Sequence, residues 1–440
     1  MVPAIRLLAL LCLCASPQAG HITIYRDSYG VPSISAARLD DALYGLGYVM
    51  AQDDAVQMAR NYKQARGRLA EVDGYNALLV DGFLRSLGIE QMAQEEAGKL
   101  NASMAGHIQA FCDGANRALA ERRASLPAWI KPFTPVDVLA EAQLINAAFA
   151  LEDIRNQLLP STGSNQFAVA PSRSATGHAI VSTDPHLPWS GLFAWYEFSL
   201  YCPEMNFHGV TIPGAPFGAI GHNDHVAWSA TNDSPRLYDF FTVKTDPAKP
   251  DRYNYFGQWR TFEMIPIDLN YVDHGVMKTM HQVVKRTAWG PMVPFRNQAV
   301  QLTMLGDWSI LTETLKMDEA RSAADFRNAL RPLGLSMWNL VYGDTSGNIG
   351  YQYNARVPKR DPEFDYTKPR PGDDPKAKWG PLWSLDELPH AENPSSGLLV
   401  NCNSAPDLTT LGNEIPAGKW PPDVTHYGHT TRYDRLAFLL

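Results

Sequence analysis

The stretch Ser161-Thr162-Gly163-Ser164-Asn165-Gln166-Phe167-Ala168-Val169 carries the main structural and chemical signal of the chain. Small residues run into an alternating segment that is typical of a β-strand, and Ser164 stands at the junction. If the chain is cut before Ser164, that residue gains a free α-amine, whose pKa is ordinarily about 7.7–8.0. One residue would then supply both a nucleophile and its base. A surface turn followed by a strand is the competing interpretation, because Gly-Ser-Asn is ordinary turn chemistry.

The composition is that of a folded globular protein. The chain has 440 residues, of which 45% are hydrophobic and 19% charged, and its many aromatic residues exclude disorder. The formal net charge is −8 and basic residues do not cluster, so we expect no nucleic-acid partner and no membrane partner. GxSxG, HExxH, P-loop and GxGxxG motifs are absent from the sequence, and with them the usual signatures of serine hydrolases, zinc peptidases and nucleotide sites.

Residues 1–20 predict an export signal. Arg6 precedes an apolar run that is too short to span a bilayer, and small residues follow it up to Gly20. We therefore expect a periplasmic or secreted protein. Beyond the signal, Cys112, Cys202 and Cys402 allow at most one disulfide.

The character of the chain changes near Pro160. Before it, one short strand is followed by a helical pattern that ends near residue 66. Three further helical patterns lie near 77–97, 102–122 and 135–151. Gly45 and Gly47 inside the first pattern predict close packing against a neighbour. After it, short β-rich runs separated by Gly, Pro, Asn and Asp predict a large, mainly antiparallel sheet assembly. Residues 358–395, rich in Pro, Asp and Lys, predict a long surface excursion.

Short motifs follow one another in a fixed order across nearly the whole chain. They are Arg26–Pro32 (RDSYGVP), Gly47–Asp53 (GYVMAQD), Arg66–Glu71 (RGRLAE), Asp184–Trp189 (DPHLPW), Gly221–Asn232 (GHNDHVAWSATN), Asn348–Tyr351 (NIGY) and Asn393–Gly397 (NPSSG). Together they resemble the penicillin acylase family of N-terminal nucleophile hydrolases, which includes penicillin, cephalosporin, acyl-homoserine lactone and aculeacin acylases. Each motif is weak alone, and the joint order carries the resemblance.

The resemblance implies an α+β protein with the four-layer αββα N-terminal nucleophile hydrolase fold. It implies a self-cleaving precursor with a signal peptide at 1–20, a mostly helical α chain at 21–163 and a β chain at 164–440. The α chain would wrap around the antiparallel β chain and remain its partner after cleavage. Family members continue well beyond this point, so 164–440 is expected to be a C-terminally truncated β chain or an unusually short one.

The resemblance also assigns roles in catalysis. Ser164 would be the nucleophile, and His186 would orient its amine and a bound water. Asn232 would offer a backbone N–H and Asn403 a side-chain amide to the oxyanion. Arg432 would support the asparagine and the serine.

For two of these assignments, a nearby residue of the same type is an alternative. Asn401 competes with Asn403, because both lie in the same short polar stretch. Arg435 competes with Arg432 for the same reason.

The acyl pocket follows from the same comparison. Leu187 and Ile220 stand where aromatic walls occur in penicillin G acylase, and aliphatic walls suit an alkyl chain at least as well as a phenyl ring. Other residues expected to contribute are Phe149, Leu151, Trp189 and Phe217.

Some family members bind structural calcium. Glu152, Asp239 and the Tyr238 carbonyl stand at positions that would hold it. Arg236 opposes the ion, because calcium needs several oxygen ligands and a cation repels it. The chemistry itself requires no cofactor.

The resemblance thus predicts an enzyme that hydrolyses a linear amide bond in a small N-acyl compound. An acyl-homoserine lactone, a β-lactam and a lipopeptide are the candidate substrates. A secreted, unprocessed binding protein that keeps the fold is the alternative outside the enzymes. A Ser-His-Asp esterase is the alternative within them, and it would need a catalytic histidine but no free α-amine.

Overall fold

The structure is a computed structural model that describes residues 20–150, 163–233, 235–425 and 428–440. The predicted export signal, except for Gly20, lies outside the described residues. Within the described ranges, no helix combines the length and the apolar character needed to cross a bilayer.

Helices dominate the part of the chain before Gly163. The α-helices of the described residues are α1 Leu39–Ala65, α2 Ala70–Asp73, α3 Leu78–Leu87, α4 Ile89–Ala97, α5 Ala102–Glu121, α6 Pro135–Ala150, α7 Ser309–Asp318, α8 Ala323–Ala329 and α9 Thr431–Leu439. The predicted helical patterns are confirmed with one correction. The pattern at 77–97 is two helices, because Gly88 adopts a left-handed φ of 78° that ends α3.

The largest sheet has nine strands. Numbered along the chain, its strands in spatial order are β1 Thr23–Arg26, β2 Pro32–Ser35, β5 Tyr196–Tyr201, β6 Asn206–Thr211, β7 Ile220–His222, β8 Val226–Asn232, β17 Met337–Asp344, β18 Ile349–Ala355 and β20 His390–Glu392. Neighbours are antiparallel except β2 and β5. This agrees with the predicted, mainly antiparallel assembly.

A second sheet has three strands and contains the candidate nucleophile. Its order is β21 Leu398–Asn401, β3 Gly163–Val169 and β4 Ile180–His186. Both β3 and β4 lie against β8 of the large sheet. Alternate residues of β3, among them Ser164 and Gln166, are buried. Gln166 Nε2 donates to Asn339 O of β17 at 2.9 Å, so this face of β3 is directed at the large sheet.

The described residues form three further sheets. They contain β9 Tyr238–Thr242 with β16 Gln298–Leu302 and β19 Arg370–Pro371; β10 Thr245–Asp246 with β11 Lys249–Tyr255 and β12 Gln258–Thr261; and β13 Glu263–Asp273 with β14 Val276–Thr287 and β15 Gly290–Pro291. The fold is therefore mixed helix and sheet, as expected. The four-layer arrangement stays a prediction.

The close packing predicted at Gly45 and Gly47 is confirmed, because α1 packs closely on its neighbours. A Cβ on Gly47 would overlap the Phe111 carbonyl, and a Cβ on Gly114 would overlap the Tyr44 carbonyl. A Cβ on Gly45 would lie 2.6 Å from an Ile34 methyl group. Helix backbones touch here because neither helix presents a side chain.

The three cysteines within the described ranges do not form a disulfide. Cys112, Cys202 and Cys402 are free and buried. Burial raises the pKa of the Cys402 thiol to about 11, so it stays protonated at neutral pH.

We expect Gly114→Ala to destabilise the protein by about 1–3 kcal/mol, because the added methyl group must push α1 away from α5. Gly106→Ala is the matched control in the same helix, since its Cβ would have no neighbour closer than 4.0 Å. It should stabilise by about 0.4–1 kcal/mol through the unfolded state. Urea denaturation midpoints measure both changes, and equal shifts for the two variants would contradict the packing.

Candidate active site

Ser164 lies in the central strand of the small sheet. It is opposite Pro185 of β4 and is only 5% exposed. Its Oγ donates to the Gly163 carbonyl at 2.6 Å, and its backbone N–H donates to Asn403 Oδ1 at 2.6 Å. Both the hydroxyl and the nitrogen that cleavage would free are therefore held in defined positions.

Asn403 follows β21 in the left-handed region, with a φ of 59°, which asparagine tolerates better than most residues. Its Oδ1 accepts from Ser164 N and from Arg432 Nη2 at 2.8 Å. Its Nδ2 donates to the Asn232 carbonyl at 2.7 Å, and the second N–H of that amide makes no bond to the described residues. The amide thus joins the small sheet to the end of β8.

The Asn401 side chain makes hydrogen bonds to residues other than Ser164. Its Oδ1 accepts from Thr231 Oγ1 at 2.6 Å, and its Nδ2 donates to Ser404 O at 3.0 Å. The structure therefore brings Asn403 to Ser164, and not Asn401. The oxyanion role of Asn403 and of the Asn232 N–H stays a prediction.

Arg432 lies in the first turn of α9. Its Nη1 donates to Ser164 O and to Asn165 Oδ1, both at 2.6 Å. The guanidinium therefore fixes the carbonyl of Ser164 as well as the Asn403 amide. The competing Arg435 lies over the ring of Phe438, 5.5 Å from its centroid.

His186 ends β4 and is opposite Gly163. Its Nε2 is 3.1 Å from Asp184 Oδ2 and 3.3 Å from Asn165 Nδ2. Burial acts to raise the pKa of Asp184, but the bonds from Asn165 and His186 outweigh it and lower that pKa. In the described part of the chain, the His186 ring makes no hydrogen bond to the Ser164 hydroxyl, so a Ser-His-Asp relay is not assembled.

A cavity of about 410 Å³ opens beside Ser164. This is within the range of about 300–1,000 Å³ that is usual for small-molecule sites. Ser164, Asn232, Asn403 and Arg432 contribute polar groups to its wall. Apolar side chains form most of the remainder and include Val138, Ala142, Ile145, Leu187, Phe193, Ile212, Phe217, Ile220, Ile310, Leu311, Leu335, Trp338 and Leu340.

Some of the residues that the sequence predicts for the acyl pocket line this cavity, and others do not. Leu187 and Ile220 line the cavity, as does Phe217. Trp189 does not, and its side chain is fully exposed. The Phe149 side chain and Leu151 lie outside what the structure describes.

Sequence reasoning missed Glu141, which lies on α6 and lines the cavity while only 1% exposed. Burial raises the pKa of its carboxyl well above the ordinary value, although the nearby Asn61 lowers it. Val138, Ala142 and Ile145 line the same cavity at helical spacing. The sequence did offer one signal for this residue, because an acidic side chain lies on the apolar face of a predicted helix.

The residues at the predicted calcium site do not fit the ion. The Asp239 carboxylate is 1% exposed and accepts from Arg236 Nε at 3.2 Å, Arg360 Nε at 2.9 Å and Arg370 Nη2 at 2.5 Å. Trp379 Nε1 donates to the same carboxylate. Guanidinium groups thus take the lone pairs that calcium would need, and they repel it.

Tyr238 lies in β9 opposite Leu302, and Glu152 lies outside the described residues. Among the described residues, no group of three or more His, Cys, Asp or Glu side chains is arranged to hold a metal. Arg370 also corrects the predicted surface excursion at 358–395, because its side chain is fully buried against Asp239.

Comparison with known proteins bears on this geometry. The sequence model of the family described as Penicillin amidase matches residues 21–440. The chain belongs to the penicillin amidase family.

Curated members of the penicillin amidase family include several relatives of this chain. The penicillin acylase 2 proenzyme of Pseudomonas sp. (strain SE83) is 27% identical over 87% of this chain and 58% of that protein. Acyl-homoserine lactone acylases QuiP and PvdQ of Pseudomonas syringae pv. syringae (strain B728a) are 24% and 26% identical, over 96% and 78% of this chain. The chain covers 59% of QuiP and 52% of PvdQ, so it spans little more than half the length of these relatives.

A solved structure supports the family fold. The thermostable penicillin G acylase of Alcaligenes faecalis superposes with a TM-score of 0.51 and 25% identity. The match covers 63% of this chain and 49% of that one.

We expect Asp239→Asn to destabilise the protein by about 3–5 kcal/mol, because it leaves buried guanidinium groups without their counter-charge. Asp365→Asn, which removes an exposed bridge to Lys368, is the control and should change little. Thermal denaturation should show no midpoint shift on adding calcium or EDTA. A rise of the midpoint with calcium would contradict the assignment of this cluster to arginine.

Proposed function

We propose that this protein is an amide hydrolase that releases an acyl group from an amine through an N-terminal serine. The observation that carries the proposal is the convergence at Ser164. Its Oγ, its backbone nitrogen, the Asn403 amide and the Arg432 guanidinium meet at the mouth of one mainly apolar cavity.

Self-cleavage between Gly163 and Ser164 would create the active form. Ser164 Oγ lies 2.6 Å from the Gly163 carbonyl oxygen, within reach of the carbonyl group it must attack. Attack forms an ester to Oγ as the peptide C–N bond breaks, and the nitrogen takes the hydroxyl proton. Water then hydrolyses the ester, which leaves Ser164 with a free α-amine and the two chains associated.

In the mature enzyme, Ser164 Oγ attacks the substrate carbonyl while the α-amine accepts the hydroxyl proton. Asn403 Oδ1, which already accepts from this nitrogen, holds it in place. The second N–H of the Asn403 amide and the Asn232 N–H stabilise the oxyanion. The leaving amine takes the proton, and water attacks the acyl-enzyme to return the serine.

His186 serves as a positioning residue. It lies in β4 opposite Gly163, the residue before the proposed new N-terminus, and its Nε2 contacts Asp184. From there it orients the amine and a bound water.

The proposed substrate class rests on the side chains that line the cavity. Aliphatic side chains at Leu187 and Ile220 suit an alkyl acyl group at least as well as a planar ring. An acyl-homoserine lactone, a β-lactam and a lipopeptide are all N-acyl amides and remain the candidates. Relatives of this chain include a penicillin acylase and an acyl-homoserine lactone acylase.

The other parts of the proposal follow from the sequence. The protein is exported to the periplasm or secreted, and its α and β chains are each other's partners. It uses no cofactor, nucleic acid or membrane. A secreted binding protein that keeps the fold uncut is the alternative.

Ser164→Ala should give an uncut, inactive chain, because both the nucleophile and the source of the base are lost. Denaturing gels and N-terminal sequencing of the full-length protein measure this. The wild type should show two chains, one of them beginning at Ser164. Ser182→Ala is the matched control in the adjacent strand β4 and should process normally. A two-chain product from Ser164→Ala would refute self-cleavage, and an uncut wild type would favour the binding protein.

Arg432→Ala should lower kcat/KM by about 10²–10³-fold, the usual effect of disordering one oxyanion donor. Arg435→Ala in the same helix is the control, and its activity should stay close to wild type. Mass spectrometry with a panel of N-acyl amines, lactones and β-lactams gives both the substrate and the rates. Equal losses in the two variants would contradict the positioning role of Arg432.

A further inference from the structure

Self-cleavage needs a base that Ser164 cannot supply before the cut. In the uncut chain, the nitrogen of Ser164 belongs to a peptide bond, and its N–H donates to Asn403 Oδ1 at 2.6 Å. A peptide nitrogen is a hydrogen-bond donor and not a base, so the α-amine that serves the mature enzyme does not yet exist. The first cut therefore requires another group to accept the proton of the Ser164 hydroxyl.

The ring of His186 lies beside the bond to be cut. His186 is opposite Gly163 in the antiparallel pair of β3 and β4. A Cβ built on Gly163 would lie 3.3 Å from His186 Nδ1 and 3.0 Å from Arg432 Nη2. Glycine leaves that space open, and Gly163 is part of the cavity wall. The Nδ1 side of the ring thus faces the residue whose carbonyl group is attacked.

The other side of the His186 ring is held by a hydrogen-bonded chain of side chains. Its Nε2 lies 3.1 Å from Asp184 Oδ2, and Asn165 Nδ2 donates to the same oxygen at 2.7 Å. The orientation of the Asn165 amide is set by Arg432, whose Nη1 donates to Asn165 Oδ1 at 2.6 Å. Asn165 and His186 therefore both direct a nitrogen at one carboxylate oxygen.

This contact decides which ring nitrogen of His186 carries the proton. Burial acts to raise the pKa of Asp184, but the bonds from Asn165 and His186 lower it, so the group is a carboxylate at neutral pH. A carboxylate only accepts, so the nitrogen facing it must be Nε2–H. If Nε2 instead accepted from Asn165 Nδ2 at 3.3 Å, two lone pairs would face each other at 3.1 Å. In the neutral ring, Nδ1 therefore carries the lone pair.

We propose that Asp184 is a positioning residue for self-cleavage, which keeps His186 in the tautomer whose Nδ1 accepts a proton beside the Gly163–Ser164 bond. This inference deepens the proposed function and rests on it, because the cut creates the N-terminal serine. Since no described residue links the ring to the hydroxyl directly, the proton passes through one water.

The proton that leaves the Ser164 hydroxyl ends on the Ser164 nitrogen. As Oγ bonds to the Gly163 carbonyl carbon, His186 Nδ1 accepts the hydroxyl proton through the water. When the peptide C–N bond breaks, Nδ1 returns that proton by the same route, and the nitrogen becomes the α-amine. The α-amine then replaces His186 as the base. Asp184 should consequently matter more for the cut than for later turnover.

Asp184→Asn tests the proposal, because asparagine keeps the size of the side chain but can donate to Nε2 and so favours the opposite tautomer. We expect self-cleavage to slow by about 10²–10⁴-fold, the usual contribution of general base catalysis. The kcat/KM of chains that have been cut should fall by a smaller factor. Pulse-labelled cell-free translation of the full-length chain, followed on denaturing gels, measures the rate of the cut.

Two variants serve as comparisons. Asp184→Glu keeps a carboxylate acceptor and should restore part of the rate of the cut. Asp268→Asn removes the same charge from a second exposed pair, in which Asp268 Oδ1 lies 2.7 Å from His281 Nδ1. That variant should be cut at the wild-type rate.

The tautomer can be measured without any cleavage. In full-length Ser164→Ala, the ring ¹⁵N shifts of His186 should show Nε2–H, with the signals assigned by their loss when His186→Gln is added. Adding Asp184→Asn instead should move the ring towards Nδ1–H. A purely structural role of Asp184 would leave the tautomer unchanged.

The outcomes separate this inference from the proposed function. An Nδ1–H tautomer in Ser164→Ala, a wild-type rate of cutting in Asp184→Asn, or equal losses in cutting and in turnover would overturn the role of Asp184. Each of these leaves the proposed function standing if the wild type is cut before Ser164. A wild type that is never cut would refute self-cleavage, and both proposals would fall with it.

Discussion

The arrangement at Ser164 depends on one side-chain amide. Asn403 Oδ1 accepts from Ser164 N, 239 residues earlier in the chain, and Asn403 Nδ2 donates to Asn232 O, 171 residues earlier. Arg432 donates to the same oxygen and to the Ser164 carbonyl. Two sheets and the last helix therefore meet at one group. Because an amide offers both an acceptor and donors, it can hold a backbone nitrogen on one side and leave an N–H for an oxyanion on the other.

Two buried acids show how differently the fold treats a carboxyl group. Asp239 accepts from three guanidinium groups and an indole, and it ties β9 to residues of the 358–395 segment. Both carboxyl oxygens of Glu141 are buried too, but they have no hydrogen-bond partner among the described residues. Asp239 thus has charged partners inside the protein, whereas burial raises the pKa of the Glu141 carboxyl.

Local patterns predicted much of the fold. Helical periodicity before Pro160, strand alternation in β3 and the close contact at Gly47 all follow from residues near one another in sequence. The split at Gly88 was missed because a single glycine does not show whether its φ will be positive. The exposure of Trp189 was missed because a motif match gives position along the chain and not the direction in which a loop turns.

The sequence alone determined the family resemblance, the candidate nucleophile and the set of residues near it, because these depend on the order of motifs along the chain. The sequence favoured Asn403 over Asn401 and Arg432 over Arg435, but only the tertiary structure shows which partners these side chains reach. It alone set three arginines around Asp239 and left Glu141 unpaired. Pairing of buried charges is decided by contacts between distant segments, which no local pattern records.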